Sequence, residues 1–270
     1  MLSDEILSRL DIVPLDELKI HEQTVPANLH SLRETMLNLG KLVDPIIIDR
    51  EHKIVLDGNH RRQVLEVLKV ENAIVQPVDY KDPQIKIGGW HIATKKLKFE
   101  DISAHPTDLD AGFKALQNMS ASLMAITKEN GVKKAKLIKC DKPDLQAIFT
   151  QQENYLKEKL EIENIKDKSN GSLIFIEDSR MDYFLDNDYL VFARKIFTKD
   201  EVIKEALAGR PLPPKSTRHM IPNRIIRLNF RLGYLNETPD QARMLLADLL
   251  KKRVKYGSAR YYTEPVIVLY

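Results

Sequence analysis

The run Ile54-Val55-Leu56-Asp57-Gly58-Asn59-His60-Arg61 constrains this chain more than any other. An apolar strand-type segment stops at Asp57-Gly58, and from His60 to Val70 the apolar residues Val64, Leu65, Val67 and Leu68 share one helical face. The chain must therefore turn from strand to helix at Gly58. Just upstream, Pro45 to Ile48 and Ile54 to Leu56 flank the charged stretch Asp49 to Lys53 and read as a hairpin. A glycine turn that launches a helix presents backbone N–H groups and the positive end of the helix dipole, which suits an anion. His60 and Arg61 in the first turn would add charge-assisted contacts to phosphate. A strand-turn-helix with nothing more than a polar cap gives the same pattern.

Around this unit the first third alternates short strands and helices. Ala27 to Leu39 has helical spacing and a C-terminal stop at Gly40, while Ala73 to Val78 and Ile85 to Ile92 read as strands. In the middle, Thr107 to Gly131 and Asp144 to Glu163 read as mainly helical, with a strand at Lys136 to Cys140 and a polar turn at Lys166 to Gly171. Leu173 to Ile176 and Tyr189 to Ala193 are strand-like. Thr198 and Glu201 then form a capping-box pattern for a helix that ends near Gly209. Ile225 to Leu232 reads as a strand, Thr238 to Val254 as an amphipathic helix and Ala259 to Leu269 as a last strand.

Composition removes several classes of function. A single cysteine, Cys140, allows neither an internal disulfide nor a thiolate zinc cluster, and its apolar neighbours suit a semi-buried thiol. The formal charge of +3 over 270 residues is too small to announce nucleic acid by itself. No apolar run reaches the roughly 18 residues of a membrane helix, and Met1 to Arg9 carries Asp4 and Glu5 where a secretory leader would be basic and then apolar. The expectation is a cytoplasmic protein without membrane partners. The seven histidines show no His-Glu-x-x-His pattern, and Walker-type and protein-kinase signatures are absent. No heptad pattern defines an oligomeric state.

Two further segments carry chemical groups. Lys19-Ile20-His21-Glu22-Gln23 offers a carboxylate, Glu22, suited to accepting a hydroxyl proton, although a lone glutamate is ordinarily solvated surface. Pro214-Lys215-Ser216-Thr217-Arg218-His219 follows a stiff proline run and gathers two cations, two hydroxyls and an imidazole, which suits a carboxylate or phosphate. Trp90, the only tryptophan, follows Gly88-Gly89 and fits either a pocket rim or the core.

Taken together, these segments resemble a known group. Asp57-Gly58-Asn59-His60-Arg61 is similar to the Gly-x-x-Arg phosphate loop of the ParB/sulfiredoxin-like proteins, and Asn59 stands where sulfiredoxins have a catalytic cysteine. The His-Glu stretch at Glu22 and the Pro-Lys-x-Thr-Arg-His stretch at residues 214–219 resemble those of the free serine kinases within that group. The resemblance covers the first hundred residues, returns from about Leu173 to His219, and is weak between Phe99 and Gly171. It implies an α+β protein: a ParB/sulfiredoxin-like nucleotide-binding domain over residues 1–98, a second mixed α/β domain over 99–270, and the active site in the cleft between them.

By the same resemblance, the expected activity is phosphorylation of free L-serine to O-phospho-L-serine, feeding cysteine or related amino-acid biosynthesis. Glu22 would be the base. Asp57 would orient a metal or tune His60, a second catalytic residue. Gly58, Asn59, His60 and Arg61 would cradle the nucleotide phosphates, and Trp90, Lys215, Ser216, Thr217, Arg218 and His219 would bind the substrate. Mg2+ is the expected ion, held by few protein oxygens. The stretch Arg260-Tyr261-Tyr262-Thr263-Glu264 is similar to the end of siderophore-pathway serine kinases, which use ATP, whereas the archaeal enzyme sharing the His-Glu-Gln stretch uses ADP. ATP is favoured and ADP remains open. The alternative is a ParB-like nucleotide-dependent DNA-binding protein or regulator, for which the helices after Thr107 show no recognition-helix pattern.

Overall fold

The computed structural model describes residues 2–140, 142–162 and 173–262, and the protein has a mixed α+β architecture. The chain groups into two compact units. One draws on Met1–Ile20, Pro26–Tyr80 and Asn223–Tyr270, the other on His21–Val25 and Lys81–Pro222. This grouping differs from a division at residue 98: the first unit ends earlier and takes in the C-terminal segment, and a five-residue piece around Glu22 groups with the second unit.

In the first unit the elements run α1 (Leu2–Leu7), β1 (Asp11–Pro14), β2 (Lys19–Ile20), α2 (Pro26–Leu39), β3 (Lys41–Leu42), β4 (Ile46–Asp49), β5 (Ile54–Asp57), α3 (Asn59–Val67) and β6 (Asn72–Val78). Five strands form a mixed sheet in the order β1-β6-β4-β5-β2. The β1/β6 and β4/β5 pairs are antiparallel, so the expected hairpin forms, while β4/β6 and β2/β5 are parallel. Ile12, Ile46, Val55 and Ile74 pack with Met36 of α2, with Val64 and Leu65 of α3, and with Ala242, Leu246 and Leu250 of the C-terminal helix Pro239–Lys255. That helix returns to this unit because the sheet face needs a cover: each fully buried leucine contributes roughly 1.5–3 kcal/mol. Gly40 ends α2 in the left-handed region, φ +63°, as its spacing predicts.

Ile225 to Leu232 was expected to be one strand, but only Phe230–Arg231 pairs, with β3. The reason is local: Asn223, Arg227 and Asn229 all have φ of +50° to +55°, which interrupts an extended ladder. The described part of the expected last strand, residues 259–262, has no strand pairing; residues 263–269, like the polar turn at 166–171, lie outside the described residues.

The second unit contains β7 (Lys86–Gly88), β8 (Trp90–Thr94), β9 (His105–Thr107), α4 (Leu109–Gln117), β10 (Ala121–Glu129), β11 (Val132–Lys139), α5 (Leu145–Leu160), β12 (Ile174–Glu177), α6 (Met181–Asp186), β13 (Leu190–Ala193), α7 (Lys199–Leu207) and β14 (Arg218–Met220). Six strands make an antiparallel sheet in the order β12-β8-β13-β10-β11-β9. Both of its faces are covered. Ala93, Met124, Ile126 and Val191 pack with Leu116 of α4 and Leu185 of α6; their neighbours Ile92, Leu123, Ala125 and Phe192 pack with Leu156 and Leu160 of α5. This explains the main misreading of the sequence. Thr107 to Gly131 was expected to be mainly helical, yet only Leu109–Gln117 is helix and Ala121–Glu129 is a central strand. A strand buried on both faces loses its polar alternation, so periodicity cannot separate it from a buried helix.

The single strand expected at Ile85 to Ile92 is split at Gly89. β7 pairs with β14, and β8 enters the large sheet. A Cβ on Gly88 would lie 2.9 Å from Asp178 Oδ1 and one on Gly89 3.0 Å from Ile196 Cγ1, so both glycines permit close passage.

Candidate functional site

The glycine turn lies in the first unit and is built as its sequence implies. β5 ends at Asp57, Gly58 takes a left-handed conformation with φ 107° and ψ 22° as the N-cap of α3, and Arg62 N–H donates to Gly58 O at 2.8 Å to close the first helical turn. Helix geometry then aims the N–H groups of Asn59, His60 and Arg61 away from the helix body. Arg61 braces the turn itself: Nη1 donates to Asp44 O at 3.0 Å and Pro45 O at 2.8 Å, and Nη2 to Asp57 Oδ2 at 3.1 Å. Glycine suits this turn because a φ of 107° is one that L side chains rarely adopt, and a Cβ would also press on Arg61 Nε and Nη2 at 3.1 Å. Asp57 also pairs with Arg224, a residue the sequence did not single out. Buried Gln76 holds that arginine's flanks, donating to Asn223 O and accepting from Ile225 N–H, each at 2.9 Å.

The second set gathers in the other unit. The segment at residues 21–23 lies against the proline run: Leu212 N–H donates to His21 O, and Gln23 N–H to Leu212 O, each at 2.8 Å. The prolines stiffen the approach, and Pro214 and Lys215 then turn the chain, Lys215 with φ +62°. The bend wraps three successive backbone N–H groups around the Glu22 carboxylate. Oε1 accepts from Lys215 N–H at 2.7 Å; Oε2 accepts from Ser216 N–H at 3.2 Å, from Thr217 N–H at 3.1 Å and from Thr217 Oγ1 at 3.0 Å. Glu22 is thus a half-buried carboxylate rather than solvated surface. Since a carboxylate only accepts, the Thr217 hydroxyl donates to it, and His21 Nε2, 2.8 Å from the same oxygen, is the donor to Thr217.

The remaining substrate candidates join this cluster. Trp90 Nε1–H donates to Thr217 O at 3.0 Å, and Lys215 Nζ sits 4.2 Å from the centre of the Trp90 ring. β14 pairs Arg218 with Gly88 and His219 with Ile87. Arg218 bonds Glu177 at 3.0 Å, the His219 ring meets the His21 ring edge-on at 5.1 Å, and the Ser216 hydroxyl closes a turn onto Pro213 O at 2.7 Å. Glu22, Trp90 and residues 215–219 are therefore one constellation, while Asp57, Gly58, Asn59, His60 and Arg61 form another within the first unit.

Buried polar groups support the second constellation. Arg194, at the end of β13, donates from Nη1 to Lys215 O at 3.0 Å; burial lowers its pKa to about 10, against the attraction of Glu22, so it is charged at neutral pH. His91 Nδ1 accepts from Arg194 N–H at 3.1 Å. Burial, and secondarily the Arg194 charge, depress His91 to about 4, so it is neutral with its proton on Nε2. The sequence reading missed His21, His91, Glu177, Arg194 and Arg224. Only His21 carried a signal, as the neighbour of Glu22; the others sit in ordinary strand or loop contexts.

Among the described residues, no group of three His, Cys, Asp or Glu side chains forms a metal cage. No helix of the described residues is long and apolar enough to cross a membrane.

No family model matches the chain. Curated relatives do. The ADP-dependent L-serine kinase SerK of Thermococcus kodakarensis is 24% identical over 239 residues, spanning 83% of this chain and 91% of that protein. The ATP-dependent L-serine kinase of Staphylothermus marinus is 26% identical over 233 residues, spanning 78% and 85%. Among solved structures, a free serine kinase in complex with AMP superposes with a TM-score of 0.65 at 20% identity, covering 84% of this chain and 93% of that one. The C-terminally truncated SbnI of Staphylococcus aureus gives 0.66 at 17% identity, covering 93% and 99%. The chain is similar to the L-serine kinases in sequence, and to the free serine kinase structures in fold.

Proposed function

We propose that this protein is a kinase that transfers a phosphoryl group from an adenine nucleotide to the hydroxyl of free L-serine. The observation that carries the proposal is the Glu22 carboxylate, clasped by residues 215–217 beside Trp90 and Lys215, in a chain similar to two L-serine kinases. Of its two oxygens, Oε2 holds three hydrogen bonds and Oε1 one. Oε1 keeps acceptor capacity and is the atom that would take the serine proton.

In the transfer, the serine Oγ–H proton passes to Glu22 as Oγ bonds to the terminal phosphorus, and the bond from that phosphorus to the nucleotide's bridging oxygen breaks, its electron pair leaving with the shortened nucleotide. Lys215, Arg218 and His219 supply positive charge or donors for the serine carboxylate and the moving phosphoryl group, with Ser216 and Thr217 shaping the loop. At the glycine turn, the first-turn N–H groups of α3 and His60 would hold phosphate oxygens while Arg61 keeps the turn rigid. Asp57, engaged by Arg61 and Arg224, would fix those arginines and could offer one oxygen to magnesium, which neutralises phosphate charge when bound. The proposal requires both sets of residues to act on one pair of reactants.

ATP is favoured as donor by the likeness of Arg260-Tyr261-Tyr262-Thr263-Glu264 to ATP-using serine kinases, and ADP is the alternative; of the two curated relatives, one is named as dependent on each. The product would serve cysteine or related amino-acid biosynthesis in the cytoplasm. The test is to incubate the pure protein with Mg2+, L-serine and either ATP or ADP and to measure O-phosphoserine together with ADP or AMP. Stoichiometric product with one donor supports the assignment; no O-phosphoserine with either donor, from folded protein that binds nucleotide, overturns it.

A further inference from the structure

We infer that Arg194 is a positioning residue that, together with Glu22, locks Lys215 in its left-handed conformation and so presents the Lys215 ammonium over Trp90. The inference rests on the kinase reading for its catalytic consequence and on geometry for the rest. Lys215 is not a glycine, yet its φ is +62°. An L residue held there costs on the order of 1 kcal/mol or more. Opposite charges grip its two backbone groups: Glu22 Oε1 takes its N–H at 2.7 Å, and Arg194 Nη1 donates to its C=O at 3.0 Å. Glycine would adopt this bend without help but would give up the ammonium that lies 4.2 Å from the Trp90 ring centre.

The rest of Arg194 is arranged for that task. The residue is 8% exposed and forms no ion pair within 4 Å among the described residues, so the cost of burying its charge is met by the longer-range attraction of Glu22 and by its hydrogen bonds. Its Nε donates to Gln152 Oε1 at 3.1 Å, and Gln152 is itself fixed by donating to Ser122 O at 2.7 Å. Its backbone N–H donates to His91 Nδ1. A second contact from Nη1, at 3.5 Å, reaches Trp90 O, so one guanidinium touches both the residue that carries the ring and the residue that carries the cation. A lysine could not reproduce this planar fork. Arg194 and Glu22 thus hold the backbone of Lys215 at both its C=O and its N–H.

The experiment uses the full chain as wild type, R194M, K215G and the double variant, with two readouts. Trp90 is the only tryptophan, so its emission reports the Lys215 and Thr217 contacts whether or not the protein turns over. R194M is expected to shift and brighten that emission, as K215G does, and the double variant to add nothing further. In turnover, R194M should lower kcat by about a hundredfold, the scale of an ångström-level misplacement, whereas adding it to K215G should cost under about tenfold, because glycine needs no lock. Equal losses in both backgrounds, or an unchanged Trp90 spectrum in folded R194M, overturn the inference. If R194M does not fold, R194K keeps the charge and loses the fork, and the same comparisons apply. Wild type that makes no O-phosphoserine ends the kinase reading alone, since the emission readout still decides the role of Arg194.

Discussion

Glu22 and Thr217, 195 residues apart in the chain, are joined twice: Oε2 of the carboxylate accepts both the backbone N–H and the side-chain hydroxyl of Thr217, at 3.1 and 3.0 Å. The hydroxyl also receives His21 Nε2–H, so a single oxygen links an imidazole to the carboxylate. Thr217→Val keeps the shape and the backbone bond but removes this link. It is expected to lower stability by about 1 kcal/mol, the net worth of a hydrogen bond, and to reduce serine turnover by roughly tenfold or more while leaving nucleotide affinity unchanged. Urea unfolding and steady-state kinetics check both; full turnover in a folded variant would mean that the hydroxyl does not orient Glu22.

Gly58→Ala tests the phosphate turn. The substitution places a side chain at φ 107° and a Cβ 3.1 Å from the Arg61 guanidinium. A loss of about 1–3 kcal/mol follows from strain at such a position, together with weaker nucleotide binding by calorimetry. Unaltered nucleotide affinity would remove the turn from the binding site.

How much of this was legible beforehand depended on the range of the interactions. The turn at Gly58, the helix stop at Gly40 and the Thr198–Glu201 capping box are local devices, written within a few residues, and each forms as read. Glu22 and residues 215–219 were singled out through their resemblance to stretches of the free serine kinases; taken alone, each reads as ordinary polar surface. The strand Ala121–Glu129 was misread because its alternating pattern is erased by burial on both faces. Arg194 left no trace in the sequence at all. It follows the apolar strand Leu190–Ala193 like any flanking cation, and its burial comes from partners 21 to 104 residues away.

His91 makes stability depend on pH in a defined window. Its pKa falls from 6.5 to about 4 in the folded protein because burial disfavours the imidazolium. Between those values the unfolded chain binds the extra proton, so stability is fully present above pH 6.5 and declines as pH falls towards 4, by about 3 kcal/mol in all. Unfolding free energies measured from pH 7 to pH 4 should show this slope, and His91→Gln should flatten it; an unchanged slope in the variant would assign the effect elsewhere.

Trp90→Phe retains a ring beneath Lys215 but removes the Nε1–H bond to Thr217 O. The expected result is a rise of about fivefold in the KM for serine, the equivalent of roughly 1 kcal/mol, with the KM for nucleotide unaffected. A change confined to the nucleotide KM would place Trp90 on the other substrate.

The most direct test of the central claim, that Glu22 takes the serine proton, is the rate of O-phosphoserine formation by Glu22→Gln alongside its nucleotide affinity, with Thr217→Val as the control for loop disturbance. The expected result is a fall of about a thousandfold or more, well beyond that of Thr217→Val, with the nucleotide Kd within about threefold of wild type. Turnover by Glu22→Gln within about tenfold of wild type would contradict the account, leaving Glu22 as the residue that folds the 215–217 loop and nothing more.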